Sequence, residues 1–227
     1  MTRPLLITDC DEVLLHMVAH FRDWLDEAHG IDFALADENW GEALVRKDTG
    51  EKVAMEEVWP YVDGFFDTEM ERQTPVKGMI EALDRITAHA DIVVLTNLPD
   101  HRRQPRIDQL ARHGIGHEVY TNQGGKGDAL RAILETHKPP VAVFVDDLSY
   151  QLHSVAKANP QVWRLHMVAE PLVAQHRPQA ADAHARIDDW AHAADWILAR
   201  FADGRPAPAP TGADLTGPDL TGATHAA

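Results

Sequence analysis

The sequence predicts an α/β protein: an open parallel sheet flanked by helices, with a small lid inserted early in the chain. Three observations carry this. Short β-branched runs ending in polar residues recur, and helical patterns alternate with them between residues 76 and about 168. One long interval, residues 15–75, interrupts the alternation directly after the first run.

Leu5-Leu6-Ile7-Thr8, ending in acids, has the profile of a buried parallel strand whose carboxyl end carries chemistry. The next stretch predicts a helix over 18–29, with Phe21, Leu25 and Ala28 on one face, and a hairpin within 43–54 around Asp48-Thr49-Gly50. An aromatic-rich stretch follows at 58–70. An interval of this size is too long for a crossover, so it predicts a small, mainly helical cap.

From residue 77 the alternation is regular. Lys77–His89 spaces Ile80, Leu83 and Ile86 as a helix, and Asp91–Thr96 reads as a strand. Arg106–His113 is a helix closed by Gly114, and Glu118–Thr121 is a short strand. Lys126–His137 is a helix stopped by Pro139-Pro140, and Pro140–Val145 is a strand running into Asp146-Asp147. Gln161–His166 is a further strand candidate, and 186–201 is a closing helix carrying Trp190, Ala194 and Ile197. From Gly204 the chain turns to Pro, Ala and a degenerate Thr-Gly-Ala/Pro-Asp-Leu repeat, which predicts a disordered tail. The expected organisation is therefore a discontinuous core of 1–14 and 76–202, a cap of 15–75 and a tail of 203–227.

Composition bounds the function. The 227 residues carry a net charge of −15, and 18 acidic against 6 basic residues in the first 75 place most of it there. Such a chain repels phosphate backbones, so no nucleic-acid partner is expected. Cys10 is the only cysteine, which excludes a disulfide framework and a cysteine-rich zinc module. The apolar run Leu5–Ile7 is too short for a signal-peptide core, and nothing approaches the ~20 apolar residues of a membrane span. The expectation is a cytoplasmic protein with no membrane partner; oligomeric state is not legible.

Asp9 with Asp11, Thr96, Lys126, and Asp146 with Asp147 all fall at strand ends or in the loop after a strand. One at a time, each reads as a cap or a solvated side chain. Together they converge on the carboxyl edge of one parallel sheet, where ligands of open α/β sheets bind. Several acids brought close repel one another unless a cation lies among them, and hard oxygen ligands suggest Mg²⁺. Cys10, between the two acids, should point away into packing. Gly124-Gly125-Lys126-Gly127 lacks the Ser or Thr and the spacing of a phosphate-binding loop. His113 and His117 are separated by two glycines, which breaks the helix a metal pair would need. His16 reads as a surface residue, with contact to substrate as the alternative, and Arg46 and Lys47 as ordinary ion-pair partners or contacts to a substrate anion.

Thr8-Asp9-Cys10-Asp11-Glu12-Val13-Leu14 resembles the first motif of the haloacid dehalogenase-like hydrolase superfamily. Val94-Leu95-Thr96-Asn97 resembles the second, Lys126 the third, and Phe144-Val145-Asp146-Asp147 the fourth. The resemblance covers residues 4–168. It departs at Glu12, where many members have Gly, and at Gln151, where many have Asp.

It implies an open, Rossmann-like core and a Mg²⁺-dependent phosphatase acting on a small phosphorylated metabolite. Asp9 is implied as nucleophile, forming an aspartyl-phosphate, and Asp11 as a general acid–base protonated at the start. Thr96, Asn97 and Lys126 would hold the phosphoryl oxygens. The metal would sit on Asp9, the backbone carbonyl of Asp11, and the Asp146/Asp147 pair, with Asp147 favoured for the direct contact.

A phosphomutase or phosphotransferase of the same superfamily is an alternative, as is a catalytically silent binding protein. A phospho-receiver domain, which places its acid pair first, fits the motif order less well. A dehalogenase would not need an acid at Asp11.

Overall fold

The computed structural model describes residues 2–34 and 43–208. Among these, the sheet has six strands: β1 (Leu5–Thr8), β6 (Asp91–Thr96), β7 (Glu118–Thr121), β8 (Ala142–Asp146), β9 (Trp163–His166) and β10 (Ala185–Arg186). Their order is β10-β9-β8-β1-β6-β7, and every pairing within the sheet is parallel. The chain winds outward from β1 through β6 to β7, then returns to the other side of β1 and winds the opposite way. The direction therefore changes between β1 and β8, and their carboxyl ends carry Asp9 and the Asp146-Asp147 pair.

Alternation along the strands builds two apolar layers. Leu6, Ile92, Val94, Val143 and Val145 face α3 (Met79–Thr87), α4 (Arg103–Arg112) and α8 (Trp190–Asp203). Leu5, Ile7, Val93, Leu95 and Phe144 face α5 (Gly127–His137) and α6 (Ser149–Ala158). A one-residue slip would turn both sets to the wrong face. Each fully buried aliphatic side chain contributes about 1.5–3 kcal/mol, which fixes the register more firmly than local propensity could.

The segment between β1 and β6 contains α1 (Val18–His29), the antiparallel pair β3 (Ile31–Phe33) and β4 (Leu44–Arg46), and α2 (Met55–Thr68). Phe21 joins them, with its ring edge-on to Phe65 at 5.5 Å and to Phe33 at 5.3 Å. Leu98, Val168 and Val173 close the same apolar cluster from the sheet side. The hairpin expected around Asp48–Gly50 is present, bridged at Val45 and Lys52, but β4 pairs more extensively with β3. β2 (Leu15–His16) pairs antiparallel with β5 (Thr74–Pro75), so this segment leaves and rejoins the body side by side.

The closing helix starts later than its apolar spacing predicts. Residues 185–186 add to the sheet edge as β10, and the Asp189 carboxylate caps α8 by accepting from His192 N at 3.0 Å. The expected tail is tied down as far as the description reaches: Ala207 N donates to Gln161 O at 2.9 Å, and Ala207 is buried. Residues 209–227 lie outside the described residues. No helix among the described residues is long and apolar enough to cross a membrane.

Candidate active site

Asp9 directly follows β1, and its backbone N–H still donates to Val145 O at 2.9 Å, as if the strand continued. Its carboxylate meets Lys126, whose Nζ lies 2.7 Å from Asp9 Oδ1 and 2.7 Å from Asp146 Oδ2. Burial raises the Asp9 carboxyl to about 7 against the pull of Lys126, with Asp146 and Asp11 adding to the rise. For Lys126, burial favours the neutral amine, but Asp146 and Asp9 hold the ammonium above its ordinary range.

Lys126 owes its place to the residues around it. Its N–H donates to Gln151 Oε1 at 2.7 Å, and Gln151 Nε2 donates to Gly124 O at 3.0 Å. Gln151, where the resemblance expects Asp, thus pins the loop that carries the lysine. At Gly127 a Cβ would lie 2.8 Å from Ala158 Cβ, so only glycine lets α5 start this close to α6. The glycines flanking Lys126 therefore serve close helix packing.

Asp146 is fully buried and engaged through both oxygens: Oδ2 holds Lys126 and Oδ1 accepts from Leu148 N at 2.9 Å. Asp147 is also buried, and burial with its acidic neighbours pushes its carboxyl well above the usual range. Arg177 Nη1 approaches its Oδ2 at 3.2 Å. Carboxylate oxygens of Asp9, Asp146 and Asp147 lie within 4.8 Å of one another. This buried all-oxygen donor set fits a hard divalent cation.

Asp11 is held by donors from two other parts of the chain. Arg106 Nη2 donates to Oδ1 at 2.8 Å and Oδ2 at 3.0 Å, and Gln73 Nε2 donates to Oδ1 at 2.6 Å. Thr96 Oγ1 stands 3.5 Å from Oδ2. Arg106 is fully buried; burial would lower its pKa, but Asp11 raises it further. Cys10 is buried in the apolar core, and its Sγ accepts from Nη1 of the same Arg106 guanidinium at 3.2 Å.

Asn97 Nδ2 donates to Gly124 O at 2.8 Å, bracing the loop before Lys126. A cavity of about 120 Å³ opens at this sheet edge. Asp9, Asp11, Asn97, Lys126, Asp147 and Arg177 are among the residues lining it. Five of the seven expected site residues line it; Asp146 stands behind Lys126, and Thr96 beside Asp11. Arg46 and Lys47 do not reach it: Arg46 pairs with Glu57, and Lys47 with Asp26 and Asp32.

Sequence reasoning missed Arg106, Gln73 and Arg177. Arg106 lies at the start of a helix pattern in which nothing marks it as turning inward. Arg177 lies in a stretch with no periodic signal.

Lys126→Met is expected to lower stability by about 3–5 kcal/mol, because it leaves buried carboxylates without their cation. Urea unfolding of the metal-free protein checks this; an unchanged midpoint would show that the cluster does not depend on the lysine's charge.

No protein-family model matches the chain, and no curated protein matches it by sequence. Solved structures do. A candidate HAD-hydrolase of Bacillus subtilis, described as bound to magnesium, superposes with a TM-score of 0.61 at 11% identity, over 87% of this chain and 99% of its own. A haloacid dehalogenase-like hydrolase from Streptococcus pneumoniae gives 0.59 at 10% identity, over 87% and 98%. A predicted phosphoglycolate phosphatase from Haemophilus somnus gives 0.56 at 17% identity, over 85% and 96%. Likeness at these identities is one of architecture, and on it the chain has the haloacid dehalogenase-like hydrolase fold.

Proposed function

We propose that the chain is a Mg²⁺-dependent phosphatase that hydrolyses a small phosphorylated metabolite through an aspartyl-phosphate on Asp9. The observation that carries this is the meeting of Asp9, Lys126 and the Asp146-Asp147 pair at the strand-order switch of a parallel sheet. Asp9 is the one carboxylate of the three that directly ends the central strand and opens on the cavity beside Lys126.

In this reading an Asp9 oxygen attacks phosphorus as the bond to the leaving oxygen breaks. Lys126, Thr96 and Asn97 face the phosphoryl oxygens, whose charge must be balanced during transfer. Water then attacks the phosphoryl group and releases Asp9. Asp11 gives the leaving oxygen its proton and takes one from that water. To do so it must exchange its bonds to Arg106 and Gln73 for a proton. Gln73 directly precedes β5, the strand that returns from residues 15–75, so movement of that segment as a cap would loosen Asp11.

Asp9, Asp147 and the Asp11 backbone carbonyl would hold Mg²⁺, with Asp146 engaged by Lys126 and Leu148 N. When bound there, the ion supplies positive charge to the phosphoryl oxygens and to the acid cluster. The small cavity and the acidic surface favour a compact phosphomonoester over a polyanion.

The test is phosphate release from a panel of sugar, glycolytic and nucleoside monophosphates, with Mg²⁺ and with excess chelator. Turnover of at least one substrate is expected only with Mg²⁺, and Asp147→Asn should raise the Mg²⁺ requirement at least about tenfold. Full activity in chelator would overturn the metal assignment. No turnover of any phosphomonoester, with phosphate analogues failing to bind, would overturn the phosphatase.

A further inference from the structure

We propose that Glu12, His16 and Glu170 form a second divalent-cation site, of the first-row transition-metal class, beside the acid cluster. Their three donor atoms lie within 4.8 Å of one another. Glu12 Oε2 is 4.0 Å from His16 Nδ1, which is 3.9 Å from Glu170 Oε2.

The two central atoms are unusual for a folded interior. Glu12 is only 5% exposed, and its Oε1 caps α1 by accepting from Met17 N and Val18 N, both at 2.6 Å. Its Oε2 is buried with no hydrogen-bond partner, and so is His16 Nδ1. A buried carboxylate oxygen left unpaired costs several kcal/mol relative to water. At 4.0 Å the imidazole is too far to satisfy it directly. Two ligand bonds of ~2.0–2.1 Å to one ion span up to about 4.2 Å end to end, so slight closure of the side chains brings all three donors onto a single cation.

The backbone directs Glu12 into this position. It adopts φ +60° in the turn after Asp11, a left-handed conformation that side chains rarely take. A glycine would make the same turn without strain but supply no carboxylate.

The donor set differs in kind from its neighbour. Asp9, Asp146 and Asp147 offer only hard oxygens, whereas an imidazole with two carboxylates suits Zn²⁺ or Mn²⁺ over Mg²⁺. The site also joins three separate pieces of chain. Glu12 belongs to the turn after β1, His16 to β2 at the start of the inserted segment, and Glu170 directly precedes α7 (Pro171–Ala174). A cation there would staple the root of the inserted segment to the loop beyond β9.

The experiment is a calorimetric titration of the full chain with Zn²⁺ in saturating Mg²⁺, with circular dichroism on every variant. One Zn²⁺ per chain is expected, weakened at least about tenfold in His16→Ala and in Glu170→Gln. Asp147→Asn, which alters the other cluster, should leave Zn²⁺ affinity unchanged. In crystals soaked with Zn²⁺, an anomalous peak is expected among Glu12, His16 and Glu170. Absence of Zn²⁺ binding, equal affinity in a folded His16→Ala or Glu170→Gln variant, or a peak only at Asp9 and Asp147 would each overturn the site. None of these outcomes bears on whether Asp9 is a nucleophile.

Discussion

Asp9→Asn is expected to abolish phosphoenzyme formation and to cut turnover on the order of 10⁴–10⁶-fold, the scale of losing an activated nucleophile. The substitution keeps the side chain's shape and an oxygen able to accept from Lys126 Nζ, now 2.7 Å away. What it removes is a carboxylate whose burial, near Asp146 and Asp11, already works against its charge. Less like-charge repulsion remains in the cluster, so the metal-free variant should unfold at an equal or higher urea concentration than the parent. Lost activity with retained stability separates a missing nucleophile from a missing fold. The direct readout is the intact mass of the protein quenched in acid during turnover, which should gain one phosphoryl group in the parent and none in the variant. A phosphorylated Asp9→Asn protein would move the nucleophile elsewhere.

The parts of this molecule legible in the sequence are those fixed by local chemistry. Leu5–Thr8, Asp91–Thr96 and Ala142–Asp146 announce themselves because a strand buried on both faces must be apolar throughout, and because its carboxyl end can then turn polar. Asp9, Thr96, Lys126 and Asp146 could be brought together on paper because parallel strands leave their carboxyl ends on one edge. The pairings within the site were not legible in this way. Arg106 and Asp11 are 95 residues apart, and nothing local distinguishes an arginine that turns inward from one in solvent. Gln151 reads as a lost acid until its bonds to Lys126 N and Gly124 O are seen. Glu170 and Arg177 sit between β9 and β10, where short turns and a four-residue helix give no period to read.

Asp11→Asn should slow hydrolysis of alkyl phosphates by about 10²–10⁴-fold, the usual contribution of a positioned general acid. With a nitrophenyl phosphate, whose leaving group hardly needs the proton, the loss should be far smaller. The buried ion pair with Arg106 makes the comparison of leaving groups essential. Asn in place of Asp11 removes the charge facing a fully buried guanidinium, so part of any activity loss will come from a smaller folded fraction. That part scales every substrate equally and cancels from the ratio of the two rates. The ratio therefore reports proton transfer alone. Arg106→Met gives the complementary measurement: it frees the Asp11 oxygens from their strongest donor while leaving the carboxyl group in place. If Asp11 works by exchanging that donor for a proton, the Arg106 variant keeps the parent's dependence on the leaving group even where its absolute rate falls. Equal losses on good and poor leaving groups in Asp11→Asn would instead make Asp11 an anchor for Arg106 and Gln73, with the proton coming from elsewhere.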